Sequence, residues 1–139
     1  MKLHAILFFI GILTISPVLH GQGKKTIKEQ KLERKTVQEY FIAEGQKEPV
    51  VELIEVFDKN GNTIELKEYN SEGELKNWYV YVYDENDNKI EEKLFDQKGK
   101  VLERTVWIYK DDLVVEKLYY DHKDRLVKRK EYKYEYYSE

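Results

Sequence analysis

The sequence predicts an all-β fold, an antiparallel up-and-down meander of about seven to eight strands in one extended, twisted sheet. The first observation behind this prediction is a short motif that recurs six times between residues 57 and 126. Each copy begins with an aromatic residue, which is usually followed by Asp or Asn. Two or three small or polar residues come next, and then an aliphatic residue. The second observation is that the segments between the motifs are rich in Val, Ile, Tyr, Trp and Thr and contain no Pro, which is typical of strands. Consecutive strands joined by tight turns must run antiparallel.

The aromatic residues of the motif are spaced alternately by 12 and 14 residues, and the last interval is 11. The repeating unit is therefore a pair of strands of about 26 residues, a period that indicates an array of one supersecondary element. Whether the sheet stays single-layered or curls on itself is left open by this pattern. The aromatic residues are Phe57, Tyr69, Tyr83, Phe95, Tyr109 and Tyr120.

Each motif also predicts a tight turn. In the first motif, Asp58 can accept a main-chain N–H from two residues further on, and Gly61 can take the left-handed conformation that ends a type I turn with a bulge. Asp also visits the left-handed region more readily than most residues, so it can replace Gly there. The fifth turn, at 110–112, is shorter. The position of Gly61 is taken in the other motifs by Gly73, Asp87, Gly99 and Asp124.

The predicted elements follow in chain order. A polar helix is expected at 24–33 and a weakly alternating first strand at 36–43, with a loop at 44–49. The repeat strands are expected at Val50–Phe57, Thr63–Tyr69, Leu75–Tyr83, Lys89–Phe95, 101–109, Leu113–Tyr120 and 126–136. The chain is therefore divided into a polar N-terminal segment at 22–49 and a β-hairpin repeat domain at 50–139.

The first 21 residues are predicted to be a signal peptide. Lys2 supplies a short positive region, an apolar run of 11 residues follows from Ala5 to Ile15, and Ser16 and Pro17 break it. We expect cleavage after Gly21, no stable membrane insertion after that cleavage, and a periplasmic or secreted location. An uncleaved anchor is the alternative.

Charge argues against several classes of partner. Residues 50–121 carry 10 basic and 18 acidic side chains, a net charge of −8, and the chain has no cysteine. Nucleic acid and anionic membrane surfaces both require clustered Lys and Arg, so neither is expected as a partner. A basic segment at 123–130 is interpreted mainly as a solvated strand face, with a polyanion site as the alternative.

Metal and catalytic sites are not expected. Asp84, Asn86 and Asn88 match the first three ligand positions of an EF-hand loop, but Phe95 stands where the bidentate Glu belongs, so we predict hairpin turns and no cofactor. Beyond the signal segment the only histidine is His122, which together with the absence of Cys leaves no catalytic triad to assemble. The protein is therefore predicted not to be an enzyme.

Aromatic side chains mark the candidate binding surface. All 12 tyrosines lie beyond the signal segment, and the long strands carry apolar side chains on both faces. Such stripes serve either as structural anchors or as a platform for a flat ligand such as a sugar ring or a peptide backbone. The candidate partner-binding residues are Trp78, Tyr79, Tyr81, Trp107, Tyr109 and Tyr134.

The pattern aromatic-Asp-x-x-Gly-x-aliphatic carries a resemblance to known repeats. The segments that begin at Tyr83 and Phe95 resemble the YD repeats of bacterial RHS-type proteins and the MORN-variant repeats of small exported bacterial proteins, over residues 50–136. The resemblance implies a tandem β-hairpin fold, and some MORN-variant proteins are labelled antitoxins by association.

The sequence thus favours an exported, non-catalytic binding or protein-interaction module of the cell envelope. Its expected partner is an envelope or extracellular protein, with a glycan as the alternative ligand. A structural spacer or assembly accessory is a second interpretation, and an immunity-type, antitoxin-like protein is a third. Strand addition at an edge of the sheet is a further mode of binding that the fold would permit.

Overall fold

Each tight turn returns the chain beside the strand it has just left, so the strands lie in the sheet in the order of the sequence. The computed structural model describes residues 23–45 and 47–137, and the predicted signal peptide lies outside these residues. Eight antiparallel strands form one open sheet, which confirms the predicted meander. The strands are β1 (Arg34–Glu39), β2 (Val50–Phe57), β3 (Thr63–Tyr69), β4 (Leu75–Tyr83), β5 (Lys89–Phe95), β6 (Val101–Lys110), β7 (Leu113–Tyr120) and β8 (Leu126–Glu131).

The two edge strands of the sheet have other bounds than predicted. Strand β1 spans Arg34–Glu39 rather than 36–43, since Glu39 already lies opposite Val50, the first residue of β2. The chain then forms a short 3-10 turn at Ile42–Glu44. Strand β8 ends at Glu131, opposite Glu116, rather than at 136. Its partner β7 extends three residues further, to Leu113, and the chain makes one more main-chain hydrogen bond to it, from the Tyr132 N–H to the Val115 carbonyl.

The N-terminal helix α1 is shorter than predicted, at Lys24–Glu29 rather than 24–33. Lys31 takes a positive φ of 53°, and the Leu32 N–H donates to the Ile27 carbonyl. This Schellman arrangement satisfies the last carbonyls of the helix and ends it.

The five longer turns share one structure, as predicted. In the first, the Asp58 carboxylate accepts the N–H groups of Asn60 at 2.8 Å and Asn62 at 2.9 Å. The left-handed position is occupied by Gly61, Gly73, Asp87, Gly99 and Asp124, with φ between 58° and 81°. The shorter fifth turn has Asp111 and Asp112 both at positive φ, which is the two-residue hairpin turn whose twist suits a β-sheet.

Few side chains are fully covered in the described part of the chain. Its only buried apolar residues are Ile27 of α1 and Phe57 at the end of β2. Helix α1 lies against the first turn, so closely that a Cβ on Gly61 would stand 2.6 Å from the Lys24 carbonyl oxygen. Elsewhere the sheet is covered by its own long side chains, and cross-strand pairs stabilise it by roughly 0.2–1 kcal/mol each.

The register places side chains on two faces of the sheet. On face 1, one direct row across strands β3 to β7 consists of Glu65, Val80, Lys93, Arg104 and Tyr120. On face 2, the corresponding row across strands β4 to β8 consists of Tyr81, Glu92, Thr105, Tyr119 and Lys128. Every hairpin also contains one register shift, which adds local twist.

Candidate functional site: a lysine–aromatic surface

Face 2 carries a surface on which lysines alternate with aromatic rings across strands β4 to β8. Cross-strand pairing creates it, because Trp107 lies directly opposite Lys117, and Tyr119 directly opposite Lys128. We call this set the lysine–aromatic surface. Its members are Tyr81, Lys89, Trp107, Lys117, Tyr119, Lys128 and Lys130.

Trp107 lies between two lysines at the centre of this surface. The Nζ atoms of Lys89 on β5 and Lys117 on β7 are each 4.5 Å from the centroid of its ring. Lys89 also lies 5.0 Å from the Tyr81 ring and forms an ion pair with Glu92 at 2.8 Å. Contacts of this kind contribute about 0.5–1 kcal/mol each at exposed sites. The indole is thus already engaged by cations, and the surface presents ammonium groups together with aromatic rings.

Tyr119 is the centre of the most basic part of the surface. Three ammonium groups surround its ring, with centroid distances of 4.7 Å for Lys128, 5.1 Å for Lys117 and 5.9 Å for Lys130. Burial acts to raise the pKa of the Tyr119 phenol, but hydrogen bonding to Lys117 and the charges of Lys117 and Lys130 outweigh it and lower the pKa. Among the described residues, Lys117, Lys128 and Lys130 form no ion pair with an acid.

The structure brings three of the predicted site residues together. Tyr79 and Tyr81 stack on face 2 with ring centroids 6.2 Å apart, and Trp107 lies on the same face. Burial, followed by the charge of Glu92, raises the pKa of Tyr81. The end of the surface near Tyr81 therefore has a carboxylate beside it, that of Glu92 directly opposite, whereas the end near Tyr119 is basic.

Trp78 lies on face 1, apart from these three residues. Its ring packs 4.9 Å from the Phe95 ring and against Gly99, with Cζ3 at 3.6 Å from a Cβ built there. Lys67 lies over the same indole at 4.4 Å. The Trp78 indole N–H is buried and finds no acceptor among the described residues. The ring is therefore placed as a packing element over the next turn.

Tyr109 and Tyr134 have their hydroxyl groups engaged by the main chain. Tyr109 donates to the Lys89 carbonyl at 3.0 Å, and Tyr134 donates to the Val114 carbonyl at 2.7 Å. Tyr83 likewise donates to the Thr63 carbonyl at 2.9 Å, so three successive repeats each contain one such tyrosine, 20 residues beyond its acceptor. We call these three hydrogen bonds the tyrosine ties. These hydrogen bonds stabilise the hairpins independently of any partner that the rings bind.

Sequence reasoning missed Lys89, Lys117 and Tyr119, and it included Lys128 and Lys130 only in the basic segment at 123–130. The alternation of Leu113–Tyr120 does place Lys117 and Tyr119 on one face, so part of the signal was present in the sequence. The missing part was the register, which alone brings Lys89 and Lys117 to the two sides of Trp107.

Face 1 differs because its arginines are paired with acids. Arg104 bonds Asp124 at 2.7 Å, and Arg129 bonds Glu116 at 2.8 Å and Glu131 at 2.7 Å. An open, shallow depression of about 700 Å³ lies near Arg104, with His122 at its rim. The compensated charges of this face leave the lysine–aromatic surface as the strongest candidate site in the described part of the chain.

The turn carboxylates are occupied as hydrogen-bond acceptors. Both oxygens of Asp58 accept hydrogen bonds, from the Asn60 and Asn62 N–H groups and from the Asn62 amide. Within residues 23–45 and 47–137, no group of three or more His, Cys, Asp or Glu side chains is arranged to hold a metal ion.

The fold and the surface define an open, single-sheet β-meander built from hairpin repeats. Comparisons with protein-family models, with curated proteins and with solved structures find no match to this chain. In the part of the chain that the structure describes, none of the helices has the length and apolar character needed to span a membrane.

Proposed function

We propose that the protein is an exported, non-catalytic binding module of the cell envelope, and that the lysine–aromatic surface is where its partner binds. The observation that carries the proposal is the group of three lysines around Tyr119, which lack acidic partners among the described residues. Aromatic residues with unpaired cations on one open face are the composition expected of an interaction site rather than of a packed layer.

The chemistry of the surface favours a partner that brings carboxylates or other anionic groups. Its lysines already stack on Trp107 and Tyr119, so a partner would meet ammonium groups held in place by rings. An envelope or extracellular protein with an acidic face fits this description, and an acidic glycan is the alternative. A neutral sugar ring would first have to displace Lys89 or Lys117 from the indole.

A structural spacer is the second candidate function, and the tyrosine ties favour it. The same hydroxyl-to-carbonyl hydrogen bond recurs from Tyr83 to Tyr109 to Tyr134, which is the regularity expected of a stiff array. The resemblance to YD and MORN-variant repeats, and the antitoxin-like role that it implies, stay predictions.

The test is a crosslinking pull-down with residues 22–139 from an envelope extract of the host, read by mass spectrometry. The decisive variant combines Lys117→Glu with Lys128→Glu, which reverses the charge beside Tyr119. The matched control combines Lys76→Glu with Lys98→Glu, which changes the net charge equally at exposed positions outside the surface. A partner kept by the control and lost by the surface variant supports the proposal, whereas equal capture by both variants contradicts it.

A further inference from the structure

Strand β8 forms the C-terminal edge of the sheet and is open to solvent. All six of its residues, Leu126–Glu131, are exposed, and only β7 pairs with it among the described strands. An unpaired edge presents main-chain N–H and C=O groups to which another strand can bond.

The register shows which main-chain groups face outward. The Tyr132 N–H donates to the Val115 carbonyl, and along the same register Lys130 lies opposite Lys117 and Lys128 opposite Tyr119. Since antiparallel partners alternate in their bonding direction, the groups of Lys128 and Lys130 face β7. Those of Arg129 and Glu131 therefore face away from the sheet.

The side chains along this edge carry a one-sided charge. Lys128 and Lys130 lie on face 2, within the basic end of the lysine–aromatic surface. Arg129 lies on face 1 and is neutralised by Glu116 and Glu131. A strand beside β8 would thus meet two uncompensated ammonium groups on one face and a compensated guanidinium on the other.

The opposite edge of the sheet contains one example of a basic edge residue paired with an acid. Lys35 of β1 lies directly opposite Glu55 of β2, and the two form an ion pair at 2.5 Å. At this position a basic residue of an edge strand is matched by an acidic residue of its neighbour.

We infer that β8 receives an added strand from a partner protein, an extended acidic segment with acidic residues at alternate positions. Its main chain would bond the outward groups of Arg129 and Glu131, and its alternate carboxylates would lie across from Lys128 and Lys130. Cross-strand neighbours in a sheet are about 4.5–5.5 Å apart, which is suitable for such ion pairs. The added strand extends the lysine–aromatic surface by one strand, so this site deepens the proposed binding function and rests on it.

A second copy of this chain is a poorer occupant. Edge strand β8 carries Lys128, Arg129 and Lys130, and edge strand β1 carries Arg34 and Lys35. Pairing of two such edges brings their Lys and Arg side chains close together, and like charges directly opposite one another are destabilising. The charge of the edge selects an acidic strand and opposes self-association.

The test uses the full chain and a fluorescent synthetic peptide of about nine residues, a usual strand length, in which Glu alternates with Thr. A peptide of the same composition with its Glu residues contiguous is the control ligand. Fluorescence anisotropy should show binding of the alternating peptide that is about tenfold tighter than binding of the control, since only alternation places the carboxylates on one face.

Two protein variants separate strand addition from simple charge attraction. Arg129→Pro removes an outward N–H, at the kind of edge position where Pro is tolerated, and Arg129→Ala removes the same side chain but keeps the N–H. Affinity for the alternating peptide should fall about tenfold from the Ala to the Pro variant, the loss expected from one main-chain hydrogen bond and its geometry. Should the Pro variant fail to fold, the double variant Lys128→Gln with Lys130→Gln must weaken binding of the alternating peptide more than binding of the contiguous one.

Other results would overturn the proposal that β8 receives an added strand. Equal binding of both peptides, or equal affinity of the Ala and Pro variants, would assign the lysines to unspecific charge attraction. Binding of a sulfated oligosaccharide with no binding of either peptide would assign them to a glycan. In each case the pull-down with Lys117→Glu and Lys128→Glu decides separately whether the surface itself binds a partner.

Discussion

Arg104 and Asp124 form an ion pair at 2.7 Å. At the equivalent positions one repeat earlier, a tryptophan packs against the glycine of a turn. In the earlier repeat Trp78 lies against Gly99, the left-handed residue of its turn. One repeat further along the chain, Arg104 stands at the position of Trp78 and Asp124 at the position of Gly99. The ring contact is also kept: Trp78 contacts Phe95, and Arg104 lies 3.9 Å over the Tyr120 ring. The two positions change together because a ring needs the space of glycine, whereas a guanidinium needs a carboxylate.

Asp124 is predicted to be replaceable by Gly but not by Ala. Ala loses the ion pair with Arg104 and keeps a φ of 58°, so Asp124→Ala should lower the free energy of unfolding by about 1 kcal/mol. Gly also loses the ion pair but adopts this φ freely, so the free energy of unfolding of Asp124→Gly should lie within about 0.5 kcal/mol of that of the parent. Urea unfolding measures both, and equal losses would show that the carboxylate matters more than the backbone.

Gly61 is predicted to be the most sensitive glycine of the turns. A side chain there meets both an unfavourable φ of 81° and the Lys24 carbonyl oxygen at 2.6 Å. Gly61→Ala should therefore cost about 3 kcal/mol and release α1, measured by urea unfolding and by faster amide exchange around Ile27. The matched control is Gly73→Ala, which has a similar φ but only Val50 at 3.8 Å, and should cost about 1–2 kcal/mol. Equal costs would show that α1 contributes nothing at this turn.

Local sequence patterns were sufficient to predict most of the fold. The strands Val50–Phe57, Thr63–Tyr69 and Lys89–Phe95 have the predicted bounds, because the turn residues on either side set them. The predicted ends of β1 and β8 were wrong: β1 ends where β2 begins, and β8 ends opposite Glu116 although β7 extends to Leu113. The lysines around Trp107 could not be predicted for a similar reason, since their contacts arise from the register of three strands and the bulges between them.

Each tyrosine tie is predicted to stabilise its hairpin by the free energy that one hydrogen bond contributes. Tyr109→Phe removes only the hydroxyl that donates to the Lys89 carbonyl, so the free energy of unfolding should fall by about 0.5–1.5 kcal/mol. Tyr69→Phe is the matched control, because its hydroxyl makes no hydrogen bond among the described residues, and it should change stability little. Urea unfolding of the two variants checks this, and a loss from Tyr69→Phe equal to that from Tyr109→Phe would contradict it.

Acid is predicted to destabilise the protein through its turn carboxylates. Hydrogen bonds from the side chain and N–H of Arg125 hold the pKa of Asp121 well below its usual range, and the N–H of Asn88 lowers the pKa of Asp84. A carboxyl whose pKa is lower in the folded state stabilises the fold above its unfolded pKa, and that stability is lost as the pH falls toward the folded pKa.

The thermal midpoint should therefore be nearly constant between about pH 5 and 7 and should fall below about pH 4, where free carboxyl groups begin to bind protons. Asp121→Asn keeps an oxygen acceptor but cannot titrate, so its midpoint should fall less on acidification. Circular dichroism melts of this variant and of Asp111→Asn, whose carboxylate accepts no hydrogen bond in the described part of the chain, measure the difference. A decline in Asp121→Asn as steep as in the parent would show that acid acts elsewhere in the sheet.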